Sequence, residues 1–136
     1  MSLVFDHEKL KVYQRSLDFV EFTEEVLAKL PKSLAAHNQL DRASTSMPLN
    51  LAEGNGKFTG KDRCCFFDIT RGSVLECAAA LDVLVCRKQL DQDQSDSGKQ
   101  ILKEIVSMIV GLIRIKTSGE PTRIRQHIMR MTNVTV

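Results

Sequence analysis

Apolar residues recur at steps of three and four positions in four separate stretches of this chain, and no stretch alternates polar and apolar residues as a strand does. The stretches run from about Asp6 to Leu30, Leu34 to Gly54, Lys61 to Leu90 and Lys99 to Lys116. Four helices with short connections pack most simply as an antiparallel up-and-down bundle. The pattern therefore predicts an all-α protein, with a four-helix bundle over residues 1–118 and a basic C-terminal tail over 119–136 that is partly helical or disordered.

Capping residues and helix breakers indicate where these helices begin and end. Asp6 is a candidate N-cap for the first helix, and Pro31 stops that helix because proline cannot continue it. Gly54 ends the second helix. The string from Asp91 to Gly98 is rich in Asp, Gln and Ser and predicts a polar loop before the fourth helix.

Each predicted helix offers an apolar row to the core. The first helix offers two rows, one through Leu10, Tyr13, Leu17, Val20 and Leu27 and a second, with seven-residue spacing, through Val12, Phe19 and Val26. The inner rows of the other three helices are Leu40, Ser44, Met47 and Leu51; Phe66, Thr70, Ser73, Cys77, Leu81 and Leu84; and Ile101, Ile105, Met108, Ile109 and Leu112. These side chains are the predicted core.

The third predicted helix is apolar on two sides. Opposite its inner row, a second stripe of small and apolar residues runs through Gly72, Leu75, Ala79 and Val83 and ends at Cys86. A helix that is apolar on both sides is buried on both sides, and one bundle covers only one of them. We therefore expect the chain to form a homo-oligomer in which the second stripe is covered, with Gly72 and Ala79 allowing close backbone approach.

The second helix carries a further candidate surface opposite its core row. Arg42, Leu49, Asn50 and Glu53 share this face with Ser46. One interpretation is a solvated polar face. The other is an oligomer interface or binding surface, which the apolar Leu49 and the two-sided neighbouring helix favour. The spacing alone leaves both open.

Positive charge is unevenly distributed along the chain. The net charge is +2, but residues 114–136 contain five basic side chains and one acidic side chain, with Arg123, Arg125 and Arg130 in the tail. A basic tail attracts phosphate, and an oligomer repeats its charge. The alternatives are a solvated terminus or a short amphipathic helix that docks on a neighbour. A second basic group, interrupted by Asp62, lies at the turn after the second helix and consists of Lys57, Lys61 and Arg63, with Arg71 further along.

No residue pattern predicts catalysis, a cofactor or a metal site. His7, His37 and His127 are far apart and have no ligand partners at helical spacing. The segment from Gly54 to Gly56 does not follow a strand and lacks the Lys-Ser/Thr ending of a phosphate-binding loop. We therefore expect a protein that is not an enzyme.

The cysteines and the N-terminus favour a cytoplasmic protein. Cys64 and Cys65 are adjacent, Cys77 and Cys86 lie in an apolar helical stretch, and none forms a Cys-x-x-Cys pair, so we expect reduced thiols. The first residues lack the pattern of a secretory signal, and no run of 18 apolar residues predicts a membrane span.

The segment from Arg42 to Gly54, followed by Gly56, resembles the signature of the bacterial four-helix bundle proteins encoded in intervening sequences of large-subunit ribosomal RNA genes. The resemblance extends upstream to the residues from Leu10 to Gln14. Downstream it includes Phe67, Arg71, Gly72, Ser73 and Glu76. Asp41 precedes Arg42 where the family tends to carry two basic residues.

This resemblance implies four antiparallel helices and a homopentameric ring. Relatives of the family include accessory proteins of diversity-generating retroelements, which are basic rings that bind nucleic acid and a reverse transcriptase. The predicted function is therefore that of a non-catalytic oligomer that binds RNA or DNA by sequence-independent phosphate contacts. The alternative is an assembly scaffold that binds a reverse transcriptase or another protein and no nucleic acid.

Overall fold

Four α-helices and one short 3-10 helix make up almost all of the described chain, which is residues 4–117 of a computed structural model. The 3-10 helix covers Asp6–Lys9, and the α-helices are α1 (Lys11–Ala28), α2 (Ala35–Asn55), α3 (Gly60–Cys86) and α4 (Gln92–Thr117). Residues 4–117 contain no strand. The prediction of an all-helical fold with four α-helices is confirmed. The predicted tail over 119–136 lies outside the described residues.

Each α-helix packs against two others. α2 contacts α1 and α3, and α4 contacts α1 and α3. The four helices thus enclose one core, in which Phe19, Leu40, Phe67, Leu81 and Ile105 are completely buried. This arrangement is compatible with a bundle. Over residues 4–117, no helix combines the length and apolar character that a bilayer span requires.

The start of α1 differs from the prediction. Asp6 does not cap an α-helix, because it begins the 3-10 helix and its carboxylate accepts a hydrogen bond from Asn55 Nδ2 at 2.9 Å. Leu10 is extended and precedes the first turn of α1. Asp6 therefore attaches the N-terminal segment to the end of α2.

The end of α3 also differs from the prediction, which extended the helix to Leu90. The helix ends at Cys86 because Lys88 adopts a left-handed conformation with φ of 61°. The N–H of Lys88 donates to the carbonyl of Val85 at 3.0 Å, and that of Gln89 donates to the carbonyl of Leu84 at 2.9 Å. These paired bonds form a Schellman C-terminal motif, with lysine in place of the usual glycine.

The predicted loop from Asp91 to Gly98 is wrong, because α4 begins at Gln92. Asp91 caps the helix, since its Oδ1 accepts a hydrogen bond from the N–H of Gln94 at 2.8 Å. Ser95 and Gly98 face inward and are buried. The polar string is thus a helix start whose inward residues are small.

The core rows are confirmed in part. α1 buries the row through Val12, Phe19 and Val26. The other predicted row of α1 is buried at Leu27, partly buried at three positions and exposed at Leu17. All four predicted residues of α2 are buried. The predicted row of α3 is buried except for the partly buried Phe66, and the helix buries in addition Cys64, Phe67, Val74 and Ala80. In α4 the buried row consists of Leu102, Ile105, Ile109 and Ile113. Ile101, Met108 and Leu112 are only partly buried.

Candidate interface on the outer faces of α2 and α3

The second apolar stripe of α3 is exposed in the single chain. Leu75 is 52% exposed and Val83 is 43% exposed, while Gly72, Ala79 and Cys86 are also exposed. A leucine at this level of exposure retains half of its surface in water although it lies in the middle of a 27-residue helix. The projection therefore identified the stripe that the chain itself leaves uncovered.

Shallow apolar grooves lie on both sides of this stripe. The groove between α3 and α4 is lined by Val74, Leu75, Ala78, Leu102 and Val106, with Lys99 and Lys103 completing the lining. The groove between α2 and α3 is lined by Ala35, Ala36, Gln39, Glu76, Ala79, Ala80 and Val83. The exposed apolar surface is thus a broad area rather than a single side chain.

The outer face of α2 continues this area. Leu49 is 59% exposed and contributes to a depression with Asp41, Arg42 and Glu53. Asn50, Ser46 and Thr45 complete the lining. The predicted interface residues of α2 and α3 therefore lie on neighbouring helices with their apolar members exposed. We refer below to this surface, formed by Leu49, Asn50, Glu53, Gly72, Leu75, Ala79 and Val83, as the outer face.

A small polar cluster joins α2 to α3 beneath the outer face. Asn50 Nδ2 donates to the carbonyl of Ser46 at 2.8 Å and to Ser46 Oγ at 2.9 Å. Ser73 Oγ donates to the same Ser46 Oγ at 3.0 Å. Because Asn50 is only partly buried and its amide nitrogen is engaged within α2, its contribution inside the single chain is to orient Ser46 toward α3. Sequence reasoning had left its role undecided and had not connected Ser46 with Ser73.

Gly54 is the last residue of the segment that resembles the family signature, and it lies where a side chain does not fit. A Cβ at this position would lie 2.8 Å from Phe66 Cβ and 3.0 Å from Phe67 Cε1. Such distances are well inside ordinary carbon–carbon contact. The end of α2 can therefore approach α3 this closely only without a side chain. At Gly72 an added Cβ would meet nothing within 4 Å, so the chain's own packing does not require glycine there.

The predicted basic residues do not form one patch. Arg42 lies on the outer face of α2. It is about 20 Å from the C-terminal end of that helix, and Lys57 lies just beyond this end. Arg63 Nε donates to the carbonyl of Lys57 at 2.6 Å, and Lys57 Nζ lies 5.0 Å from the centre of the Phe66 ring. Arg71 Nε is 3.5 Å from Asp68 Oδ1. Lys57, Arg63 and Arg71 therefore each contact a group of the same chain.

The remaining predicted cations divide into one exposed lysine and the tail. Lys61 is exposed at the start of α3. Arg123, Arg125 and Arg130 lie outside the described residues. Sequence reasoning missed two exposed aromatic side chains, Phe5 and Phe58, because it examined the charges of these segments and not their apolar residues.

Shifted pKa values in the described chain belong to Cys77 and to the ion pair of Arg15 with Glu104. Burial raises the pKa of the Cys77 thiol to about 12, so this thiol is protonated at neutral pH. A hydrogen bond of 2.6 Å from Arg15 Nε to Glu104 Oε2 lowers the pKa of Glu104 and raises that of Arg15. Within residues 4–117, no three His, Cys, Asp or Glu side chains are grouped to hold a metal ion.

Comparison with known proteins assigns the family. Residues 8–111 match the family model described as 23S rRNA-intervening sequence protein. No curated protein matches the chain significantly. Among solved structures, the chain is similar to a protein with unknown function from the S23 ribosomal protein family of Bacteroides thetaiotaomicron, determined at 1.70 Å resolution. The two are 22% identical, the match covers 76% of this chain and 98% of the other, and the TM-score of 0.69 indicates a shared fold. Since the family model covers most of the chain, this protein belongs to the 23S rRNA-intervening sequence protein family.

Proposed function

We propose that this protein is a non-catalytic cytoplasmic homo-oligomer that binds RNA or DNA through sequence-independent phosphate contacts. The observation that carries the assembly is the exposed apolar stripe on α3, continued by Leu49 on α2. Fully burying an exposed leucine or valine side chain contributes about 1.5–3 kcal/mol. Completing the burial of Leu49, Leu75 and Val83 in every subunit therefore favours association strongly.

The proposed assembly is a pentameric ring of antiparallel four-helix subunits, as the family resemblance implies. Contacts between opposite ends of helices support the antiparallel order. Gly98 near the start of α4 lies against Phe22 in the second half of α1 and against Leu81 near the end of α3. A groove between the start of α1 and the last turns of α4 contains Leu10 and Leu112.

A ring pairs two different surfaces of each subunit, and the α2 part and the α3 part of the outer face are the two candidates. The outer face of α2 offers Leu49 flanked by the exposed carboxylates of Asp41 and Glu53. The groove between α3 and α4 offers an apolar floor beside Lys103, which is exposed and has no ion-pair partner within residues 4–117. These faces complement each other in apolar character and in charge, which favours a contact between α2 of one subunit and α3–α4 of the next.

Native mass tests the assembly. We expect light scattering at micromolar concentration to give a multiple of the 15.3-kDa subunit mass, and five times that mass for the proposed ring. The measurement should be repeated at high salt, because contacts dominated by apolar burial persist when charges are screened. A particle of 15.3 kDa under all conditions would refute the assembly.

Phosphate binding is supported by the distribution of charge. Five basic side chains and one acidic side chain follow residue 113, and every subunit of a ring repeats this excess. Lys61 adds an exposed cation at the start of α3, and Arg42 adds one at the edge of the proposed subunit contact. Such a surface attracts a polyanion without reading its bases.

A salt series measures this binding directly. We expect fluorescence anisotropy with labelled RNA and DNA to show affinity that falls by orders of magnitude between about 50 and 200 mM salt, because each phosphate contact releases a counterion. Oligonucleotides of different sequence should bind alike. Absence of binding at low salt would exclude nucleic-acid binding. The remaining alternative would be an assembly scaffold that binds a reverse transcriptase or another protein.

A further inference from the structure

Phe58, in the turn between α2 and α3, is fully exposed at 102% of its reference surface. The turn that carries it is held by hydrogen bonds. Arg63 Nε donates to the carbonyl of Lys57, the N–H of Lys57 donates to the carbonyl of Gly54 at 3.2 Å, and Thr59 accepts from the N–H of Asp62 at 3.1 Å. The phenyl ring is thus presented to solvent by an ordered turn.

A second aromatic group lies at the same end of the molecule. Phe5 is 76% exposed, and its ring stacks on His7 with 5.8 Å between ring centres and 12° between planes. The hydrogen bond between Asn55 and Asp6 joins the two groups, since Asp6 follows Phe5 and Asn55 precedes Phe58 by three residues. Both exposed phenyl rings therefore belong to one end of the bundle.

Four basic side chains lie near these rings. Lys9 and Lys61 are exposed, and Lys57 and Arg63 flank Phe58. Of the nearby carboxylates, Asp6 and Glu8 accept hydrogen bonds from Asn55 and from the N–H of Phe5, and Asp62 is exposed. The last turns of α4 lie beside the start of α1, with which they form a groove, so α4 ends at this end of the bundle. The basic residues of the tail follow α4 in the sequence. By contrast, α4 begins beside Asp91, Asp93 and Asp96.

We propose that this end of the bundle binds single-stranded nucleic acid, with bases stacked on Phe58 and Phe5 and phosphates held by the exposed Lys9 and Lys61. The proposal rests on the nucleic-acid binding proposed above and assigns it a location and a ligand class. Exposed rings among cations form the platform by which proteins bind unpaired bases without sequence preference. A duplex offers no base faces to such rings.

The test compares single strands with duplexes. Anisotropy is measured for labelled oligo-U RNA, for oligo-dT DNA and for RNA and DNA duplexes of the same length. Each ligand is titrated with the unmodified full chain and with Phe58→Ala, Phe58→Leu and Phe58→Tyr. We expect Phe58→Ala and Phe58→Leu to weaken single-strand binding about tenfold, since both remove the stacking ring, and Phe58→Tyr to retain it. Duplex binding should be weaker and unaffected. The RNA and DNA arms show which strand is preferred.

The controls separate this proposal from the function on which it rests. Ile69→Ala removes another exposed apolar side chain, on α3, and should leave single-strand affinity unchanged. If the unmodified protein binds strands and Phe58→Ala binds them equally, or if duplex binds as tightly as single strand, the stacking site is refuted while phosphate binding stands. If no nucleic acid binds at all, both fail. If Phe58→Ala changes the native mass and not the affinity, the ring contacts another copy of the chain and the proposal is overturned.

Discussion

Leu75→Glu is expected to divide the proposed assembly into 15.3-kDa subunits that retain their helical content. Leu75 is half exposed in the single chain and lies in the apolar groove between α3 and α4. A glutamate there costs little in the isolated subunit, because half of the Leu75 side chain is already exposed and the carboxylate can extend into water. In an assembled interface it would be a buried, unpaired carboxylate, which costs several kcal/mol. Native mass by light scattering and helical signal by circular dichroism measure the two effects separately.

Leu17 provides the matched control for this substitution. It is an exposed leucine on α1, away from the outer face, and Leu17→Glu introduces the same charge. We expect its native mass to equal that of the unmodified protein. If Leu75→Glu keeps the native mass of the assembly, the subunit interface lies elsewhere. If both variants lose the assembly equally, the added negative charge is the cause and not the position of Leu75.

Gly54→Ala is expected to lower the free energy of unfolding by about 1–3 kcal/mol, as methyl groups forced into tight packing do. The added Cβ would meet Phe66 Cβ at 2.8 Å. That atom is fixed to the α3 backbone, so it cannot turn away as a side-chain end can, and the two helices must separate. Urea unfolding followed by circular dichroism, at one protein concentration because assembly contributes to stability, gives the value.

Gly111→Ala is the control, since Gly111 lies within α4 and an added Cβ there meets nothing within 4 Å. Alanine is favoured over glycine inside a helix by about 1 kcal/mol, so this variant should be slightly more stable. The two substitutions are chemically identical and are predicted to act in opposite directions. Equal stability of Gly54→Ala and the unmodified protein would mean that the junction of α2 and α3 is looser than these distances indicate.

The sequence predicted the fold class because apolar spacing is set by helix geometry, which tertiary packing does not alter. Both apolar rows of α1 were predicted to lie in the core, and the sequence did not show that Leu17 would be exposed. The row with Val12 and Phe19 is inside although Ser16 and Thr23 belong to it. Their hydroxyls donate to the carbonyls of Tyr13 and Val20 at 2.6 and 2.7 Å, which satisfies them within the helix.

The start of α4 was misjudged because residues that favour loops also favour helix starts. Asp91 supplies the cap, while Ser95 and Gly98 are small enough to let α4 approach its neighbours. An added Cβ on Gly98 would lie 2.5 Å from Phe22 Cε1. Composition alone cannot distinguish a polar loop from a capped helix whose buried positions are small.

The candidate site was predictable where it depends on helical projection and unpredictable where it depends on contacts. The exposure of Leu75 and Val83 follows from their angular position on α3. The engagement of Arg63 by the carbonyl of Lys57 depends on how the turn folds, so the sequence could not show that this cation is occupied. The full exposure of Phe58 likewise depends on the turn, in which Gly56 and Thr59 flank the ring-bearing segment.

The hydrogen bond between Asp6 and Asn55 has a consequence for avidity. It places both exposed phenyl rings at one pole of the subunit, and in the proposed ring a cyclic symmetry axis would put equivalent poles at the same height. A flexible polymer that engages one pole would find the next at high effective concentration. Weak individual sites would then combine into tight retention of long strands, while strands too short to span two poles would dissociate quickly.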